Sequence, residues 1–325
     1  MRHFLNLIDV TPDEIRTLLR EASRLKAAQQ RGQGKPLLRG RVLGLVFEKP
    51  SLRTRVSFET AIAQLGGTGI FMAGHEVGIG ARESVPDIAR TISQYVDAVV
   101  LRTFQQATIE TFAEYATCPV INGLSDYNHP CQALGDLLTM RELFGELAGR
   151  TIAFIGDGNN VARSLAVGAG KLGVRFILAA PQGYGFDPTF MEQYRNQVPG
   201  GVLQEFGNPH EAVREADVIY TDVWTSMGQE AERDTRLKRF ADFQVNAGLL
   251  AEAPKHARVM HCLPAHRGEE ITGDVLDSPR SVVFPQAGNR MHAQKALLVW
   301  LLGAPAKLPK TKPDVRKPVR KSRTR

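Results

Sequence analysis

Short apolar runs at 41–47, 69–72, 97–102 and 119–122 alternate with helix-length segments at 54–65, 85–95 and 107–116. Runs that are apolar on both faces suit strands covered on both sides, and strands spaced by helices are joined through crossovers. The pattern predicts a parallel sheet with helices on both faces. After a helical stretch at 131–144, broken by Gly145 and Gly149, a second series follows at 151–155, 174–179, 217–221, 258–261 and 281–284. The expected fold is α/β: two doubly wound parallel-sheet domains linked by helices, with a C-terminal helix returning to the first domain. A chain of 325 residues is too long for one compact core and suits such a pair. The expected boundaries are 1–145 and 146–287, with the returning helix at 288–303 and a tail at 304–325.

Thr11 as cap, Pro12 at the first helical position and Glu14 closing a capping box mark an N-terminal helix. The formal net charge of +7 would suggest an anionic partner, but its location removes the suggestion. Residues 304–325 hold nine Lys or Arg and one Asp, which leaves the preceding body at −1, with no signal for nucleic acid. Rich in proline and poor in apolar residues, this tail is expected to be disordered. It reads as a solubilising extension, with an RNA or membrane-surface arm as the functional alternative. Three scattered cysteines, Cys118, Cys131 and Cys262, make neither a disulfide framework nor a paired metal motif, which fits a reducing compartment. No apolar leader follows Met1, and the apolar stretch 296–302 is far short of the ~20 residues of a membrane span. A cytoplasmic, soluble protein with no membrane partner is expected.

In open parallel sheets the ligand lies outside the carboxyl ends of the strands. Ser51, Arg102, His129 and Asp222 all follow expected strands at that end. Ser51-Leu52-Arg53-Thr54-Arg55 packs two hydroxyls and two guanidiniums where a helix should start, and free N–H groups there bind phosphate-sized anions. Alone, the pattern also fits a capped surface helix with solvated arginines. Arg102, directly after four apolar residues, is either a satisfied strand end or a ligand group. Gly156-Asp157-Gly158-Asn159-Asn160 approaches a dinucleotide fingerprint, but Val161 stands in place of the third glycine, so no NAD site is expected. His261, Cys262 and His266 tempt a zinc reading, yet no second ligand pair stands at metal spacing, and no metal is expected.

Taken with His129-Pro130-Cys131-Gln132, Asp222-Val223-Trp224-Thr225-Ser226-Met227-Gly228 and His261-Cys262-Leu263-Pro264, the Ser51 cluster resembles the ornithine carbamoyltransferases, from about residue 5 to residue 303. The resemblance implies carbamoyl transfer from carbamoyl phosphate to the δ-amine of L-ornithine, giving L-citrulline and phosphate, by direct attack and with no cofactor. It places Ser51, Arg53 and Thr54 on the phosphate, with Leu52 contributing its backbone N–H where many members have Thr. Negative charge builds on the carbonyl oxygen during transfer, and Arg102, His129 and Thr54 are the expected donors to it. Gln132, one turn after His129, is expected to hold the carbamoyl NH2. Cys262, Leu263 and Arg290, the last expected at the start of the final helix, complete that shell. Asn160 is expected at the ornithine carboxylate and Asp222 at its α-ammonium, while Ser226 and Met227 sit on a glycine-flexible loop that can close. Cys262, expected near Asp222, would guide the δ-amine and relieve it of a proton. That amine, like lysine, has a free pKa of about 10.4, so the site must select or generate the neutral form.

An aspartate carbamoyltransferase would share the first-domain motifs but carries arginine-rich substrate loops and His-Pro-Leu-Pro, where this chain has Ser226-Met227-Gly228 and His261-Cys262-Leu263-Pro264. A nicotinamide oxidoreductase would need the missing glycine, and an RNA-binding protein would need basic residues outside the tail. The resemblance further implies a homotrimer, or a multiple of it, with sites shared between subunits through a loop at 74–82. Many members have Gln near position 78; here the stretch reads His75-Glu76-Val77-Gly78-Ile79-Gly80.

Overall fold

The computed structural model describes residues 1–303 apart from 80, 81 and 227. The basic tail expected at 304–325 therefore lies outside the described residues. Four parallel strands, β1 (Val42–Phe47), β2 (Thr68–Ala73), β3 (Ala98–Arg102) and β4 (Val120–Leu124), form one sheet in the order β2-β1-β3-β4. Five more, β5 (Thr151–Ile155), β6 (Arg175–Ala179), β7 (Leu203–Phe206), β8 (Val218–Thr221) and β9 (Arg258–His261), form a second in the order β7-β6-β5-β8-β9. Each order reverses direction once, between β1 and β3 and between β5 and β8. At such switch points the loops part and leave a crevice beyond the carboxyl ends.

Thr11 caps the Pro12–Gln30 helix with the full capping box, and Ser51 caps the Leu52–Gln64 helix by accepting from the Thr54 N–H at 3.2 Å. The helix Pro130–Phe144 joins the two sheets and is buried continuously from Pro130 to Met140. It packs on the helices Asn160–Lys171 and Val283–Leu302, and the latter also lies against Pro12–Gln30 and Leu52–Gln64, so the C-terminal helix returns to the first domain. One apolar cluster runs from Phe4 through Leu137 and Phe154 to Leu298. A side chain at Gly135 would meet Arg290 at 3.0 Å from its Cγ, and this close approach brings Arg290 to the first-domain site.

Three expectations along the chain change. Residues 281–284 are not a strand: Ser281 makes one isolated bridge to Val259, and the helix Val283–Leu302 begins at once. Pro285 lacks only an N–H that a first helical turn leaves unpaired, and Gln286 takes the His261 N–H at 2.9 Å, turning the chain off the sheet edge. Arg290 consequently stands well inside this helix and not at its start. The edge strand β7 has no apolar run to mark it, because Leu203–Phe206 has only half-buried ends around the exposed pair Gln204 and Glu205. In the stretch expected as a loop at 74–82, Gly74–Val77 forms one helical turn, and Val77 and Ile79 pack against the cluster around Val46 and Val99.

Candidate functional site

Between the carboxyl ends of the two sheets lies a cavity of about 1240 Å³. Ser51, Leu52, Arg53, Thr54, Arg102, His129, Gln132 and Arg290 line it from one side, and Asn160, Asp222, Ser226, Cys262 and Leu263 from the other. Met227 lies outside the described residues.

The first-domain end is built for an anion. Arg102 closes β3 at a register shift against β4, between Leu101 and Arg102, which re-aims the strand end. Arg102 and Arg290 are 5% and 3% exposed. The Arg290 Nη2 donates to Thr54 Oγ1 at 2.8 Å, whereas the Nε of Arg102 and of Arg290 have no partner. Burial pushes the Arg102 pKa down to about 10, with the Arg290 and Arg53 charges adding to the effect. Arg53 and Arg290 are lowered too, burial again leading. Guanidiniums crowded together in a poorly solvated wall demand a negative ligand. Lys49 adds a further cation, at a position the motifs do not mark. It is nearly buried, its Nζ lies 4.4 Å from the Phe104 ring centroid, and burial followed by Arg102 lowers its pKa.

His129 precedes the helix Pro130–Phe144 and is buried with its Nδ1 unpaired. Burial, then Arg290, Arg102 and Arg53, holds its pKa well below the ordinary value, so the ring is neutral. A neutral imidazole still donates from one nitrogen. Gln132 donates through Nε2 to Asp136 Oδ1 at 2.9 Å, while its Oε1 has no partner.

At the second-domain end Asp222 follows β8 and gathers three donors. Cys262 Sγ, Asn159 Nδ2 and the Val223 N–H each reach it at 2.8 Å. Asn159, missed in the sequence, also caps the next helix by accepting from the Val161 and Ala162 N–H groups. Its own segment marks only an Asx cap after a strand; the contact with Asp222 has no local signal. Asn160 lines the cavity, with one amide N–H committed to the Ser125 carbonyl at 2.6 Å. A side chain at Gly158 would meet the Gly185 carbonyl at 2.8 Å, so the loops after β5 and β6 touch backbone to backbone and close the floor. Val161, where a dinucleotide fingerprint needs glycine, is buried in the core.

The Cys262 thiol, expected to take a proton from the amine, is a hydrogen-bond donor in the resting site. Burial and then the neighbouring Asp222 push the thiol pKa well above its usual value, so it is protonated and donates to the carboxylate. In that hydrogen bond Asp222 accepts and Cys262 donates. Asp222, His261 and Cys262 approach closely enough to suggest a metal. Both His261 nitrogens are nevertheless committed: Nδ1 accepts from the Leu263 N–H at 2.8 Å, which leaves Nε2 to donate to Glu270 at 3.1 Å.

The chain matches the family model described as the carbamoyl-P binding domain of aspartate/ornithine carbamoyltransferase over residues 2–142, and that of the Asp/Orn binding domain over 148–301. It is 49% identical over 303 residues to an ornithine carbamoyltransferase of Anoxybacillus flavithermus, covering 93% of this chain and 96% of that protein. A relative from Pyrococcus furiosus, described as an anabolic ornithine carbamoyltransferase, is 48% identical over 93% of this chain and 96% of its own. The solved structure of ornithine carbamoyltransferase from the same organism superposes with a TM-score of 0.90, covering 93% of this chain and 97% of that one. That from Thermus thermophilus gives 0.83 at 41% identity, over 92% of this chain and 98% of that one.

Proposed function

The chain belongs to the aspartate/ornithine carbamoyltransferase family, and we infer from its cavity which of its own residues do the work. It transfers the carbamoyl group of carbamoyl phosphate to the δ-amine of L-ornithine, giving L-citrulline and phosphate. The observation that carries the site assignment is one cavity with two electrostatic ends: crowded guanidiniums on one side, and a carboxylate with its thiol donor on the other.

Carbamoyl phosphate binds first, because its charge relieves the crowding of Arg53, Arg102 and Arg290. Its phosphate lies at the start of the helix Leu52–Gln64, on the N–H groups beside Ser51, Leu52 and Thr54. Arg102, His129 and Thr54 aim donors at the carbonyl oxygen, where charge grows as the tetrahedral state forms. Gln132 accepts from the carbamoyl NH2, and Leu263 and Cys262 close the shell. Ornithine lies across the cavity, its carboxylate toward Asn160 and its ammonium toward Asp222, with Ser226 on the same side. The neutral δ-amine forms the C–N bond, the C–O bond to phosphate breaks, and the amine proton is lost to a site where Asp222 is the available acceptor. We assign 1–145 to carbamoyl phosphate and 146–287 to ornithine.

An amine panel tests the substrate assignment. Incubated with carbamoyl phosphate, ornithine should yield carbamoylated product far above putrescine, aspartate or acetylornithine. Comparable turnover of any other member would overturn the assignment of the acceptor end.

The arginine-biosynthetic direction is favoured by the likeness to an anabolic relative. Three unpaired cysteines support a reducing compartment such as the cytoplasm. Exposed Leu52, Val56 and Ile70 beside the edge strand β2 support contact with further copies, for which we propose a homotrimer or a multiple of it. If the segment 74–82 reaches a neighbour's cavity, two inactive variants should complement each other: Arg53→Ala, and a disabling change found by scanning 75–82. In a random equal mixture about a quarter of the sites combine an intact Arg53 with an intact neighbouring loop. Mixtures as dead as their parents, or an active monomer by light scattering, would show that each chain makes its own site.

A further inference from the structure

We propose that Asp136 is a positioning residue for the carbamoyl group: its carboxylate turns the Gln132 amide so that Oε1 faces the cavity, and this sets the preference for an acyl phosphate that carries NH2. The inference rests on the assignment of Gln132 to the carbamoyl NH2 made above.

Asp136 is fully buried one helical turn after Gln132. Its Oδ1 accepts from Gln132 Nε2 at 2.9 Å and from Gln286 Nε2 at 2.7 Å, and its Oδ2 from the Tyr220 hydroxyl at 3.1 Å. Gln286 is not free to turn, because its Oε1 holds the His261 N–H at 2.9 Å and its Nε2 also reaches the Tyr220 oxygen at 3.2 Å. A strand end beside Cys262, the C-terminal helix and the linking helix thus meet at one carboxylate. Burial raises the Asp136 pKa to about 7, against the pull of its three hydrogen bonds and of Arg290; in either form an oxygen remains for the Gln132 amide.

An amide has distinct ends, NH2 and oxygen, and only the NH2 end can face an acceptor. Asp136 therefore decides which end of Gln132 meets the ligand. The end left over, Oε1, is buried without a partner while Gln132 lines the cavity. An unpaired buried acceptor is costly unless a ligand donor completes it, and sites built around a substrate N–H reject analogues that lack it. A carbamoyl NH2 supplies the donor; an acetyl methyl does not. With Asp136 removed the amide can rotate, setting its own NH2 against that of the substrate.

Acetyl phosphate, which replaces the carbamoyl NH2 with a methyl group, is the probe. Its Ki as a competitor of carbamoyl phosphate, divided by the carbamoyl phosphate KM, measures discrimination. Asp136→Ala should lower this ratio about tenfold, the value of roughly one hydrogen bond. Gln132→Ala should lower it similarly, and the double variant no further. Asp136→Asn, whose Oδ1 can still accept both amides, should keep the wild-type ratio. A general loosening of the cavity weakens both ligands together and leaves the ratio unmoved, and that result in Asp136→Ala overturns the proposal when Gln132→Ala does lower it. An unchanged ratio in Gln132→Ala overturns the assignment of Gln132 itself. If Asp136→Ala does not fold, Asp136→Leu fills the volume without an acceptor, and the same ratio decides.

Discussion

Replacing Arg102 with Met should cut turnover by about 10²- to 10³-fold and leave the folded protein at least as stable as before. The first half follows from the role of a preorganised donor at the oxygen where charge develops, whose loss costs about 2.7 to 4 kcal/mol. The second follows from the resting site. Arg102 is buried and bears its charge beside Arg290 and Arg53, and its pKa falls from the ordinary guanidinium value to about 10. A base whose pKa is lower folded than unfolded is penalised in the fold. The penalty is present in full below the folded pKa and disappears as pH rises from about 10 toward 12.5. At neutral pH it amounts to something on the order of 3 kcal/mol, of which relaxation and lost contacts will return part. Met keeps much of the aliphatic packing and none of the charge. Urea unfolding and steady-state kinetics on the same variant check both halves, and carbamoyl phosphate should protect the wild type far more than the variant. A variant that loses stability along with activity would mean that Arg102 supports the fold, contrary to the crowding described above.

This opposition between stability and function also explains which parts of the site were legible in the sequence. Ser51, Arg102, His129 and Asp222 could be found because each lies at or beyond the carboxyl end of a strand, and strand ends are marked by a change from apolar to polar residues that needs no partner to be seen. All four line the one cavity beyond the carboxyl ends of the two sheets. Asn159, Lys49 and Asp136 were hidden for the opposite reason. Each draws its meaning from residues distant in sequence: Asn159 from Asp222, Lys49 from Phe104 and Arg102, Asp136 from Gln286 and Tyr220. A buried acid inside an apolar helix has no periodic signature. The misread segment 281–284 fails on the same ground, since an apolar run of that length suits a strand or a buried helix start equally, and the choice was made by Gln286 reaching across to the His261 N–H. The resting protonation of Cys262 was likewise not legible, because it depends on burial and on the carboxylate beside the thiol, neither of which its own segment reveals.

Asp222→Asn should lower kcat/KM for ornithine by about 10²- to 10³-fold or more, the cost of removing one member of a desolvated charge pair being about 2 to 5 kcal/mol. The substitution nearly preserves shape but removes the negative charge, and it points an NH2 group at one of the donors now served, the Cys262 thiol or the Asn159 amide. Carbamoyl phosphate should bind as well as before or better, because Asp222 partly offsets the positive charge of Arg53 and its loss leaves that end more attractive to an anion. This split between substrates distinguishes a damaged acceptor end from a damaged fold. Cys262→Ala supplies the scale. A neutral thiol that only steadies the carboxylate is worth about one hydrogen bond, so ornithine kcat/KM should fall by roughly tenfold, well short of the Asp222 variant. If Cys262→Ala instead matches or exceeds Asp222→Asn, the thiol is the group that takes the proton, and the hydrogen bond from Cys262 to Asp222 serves the resting enzyme only.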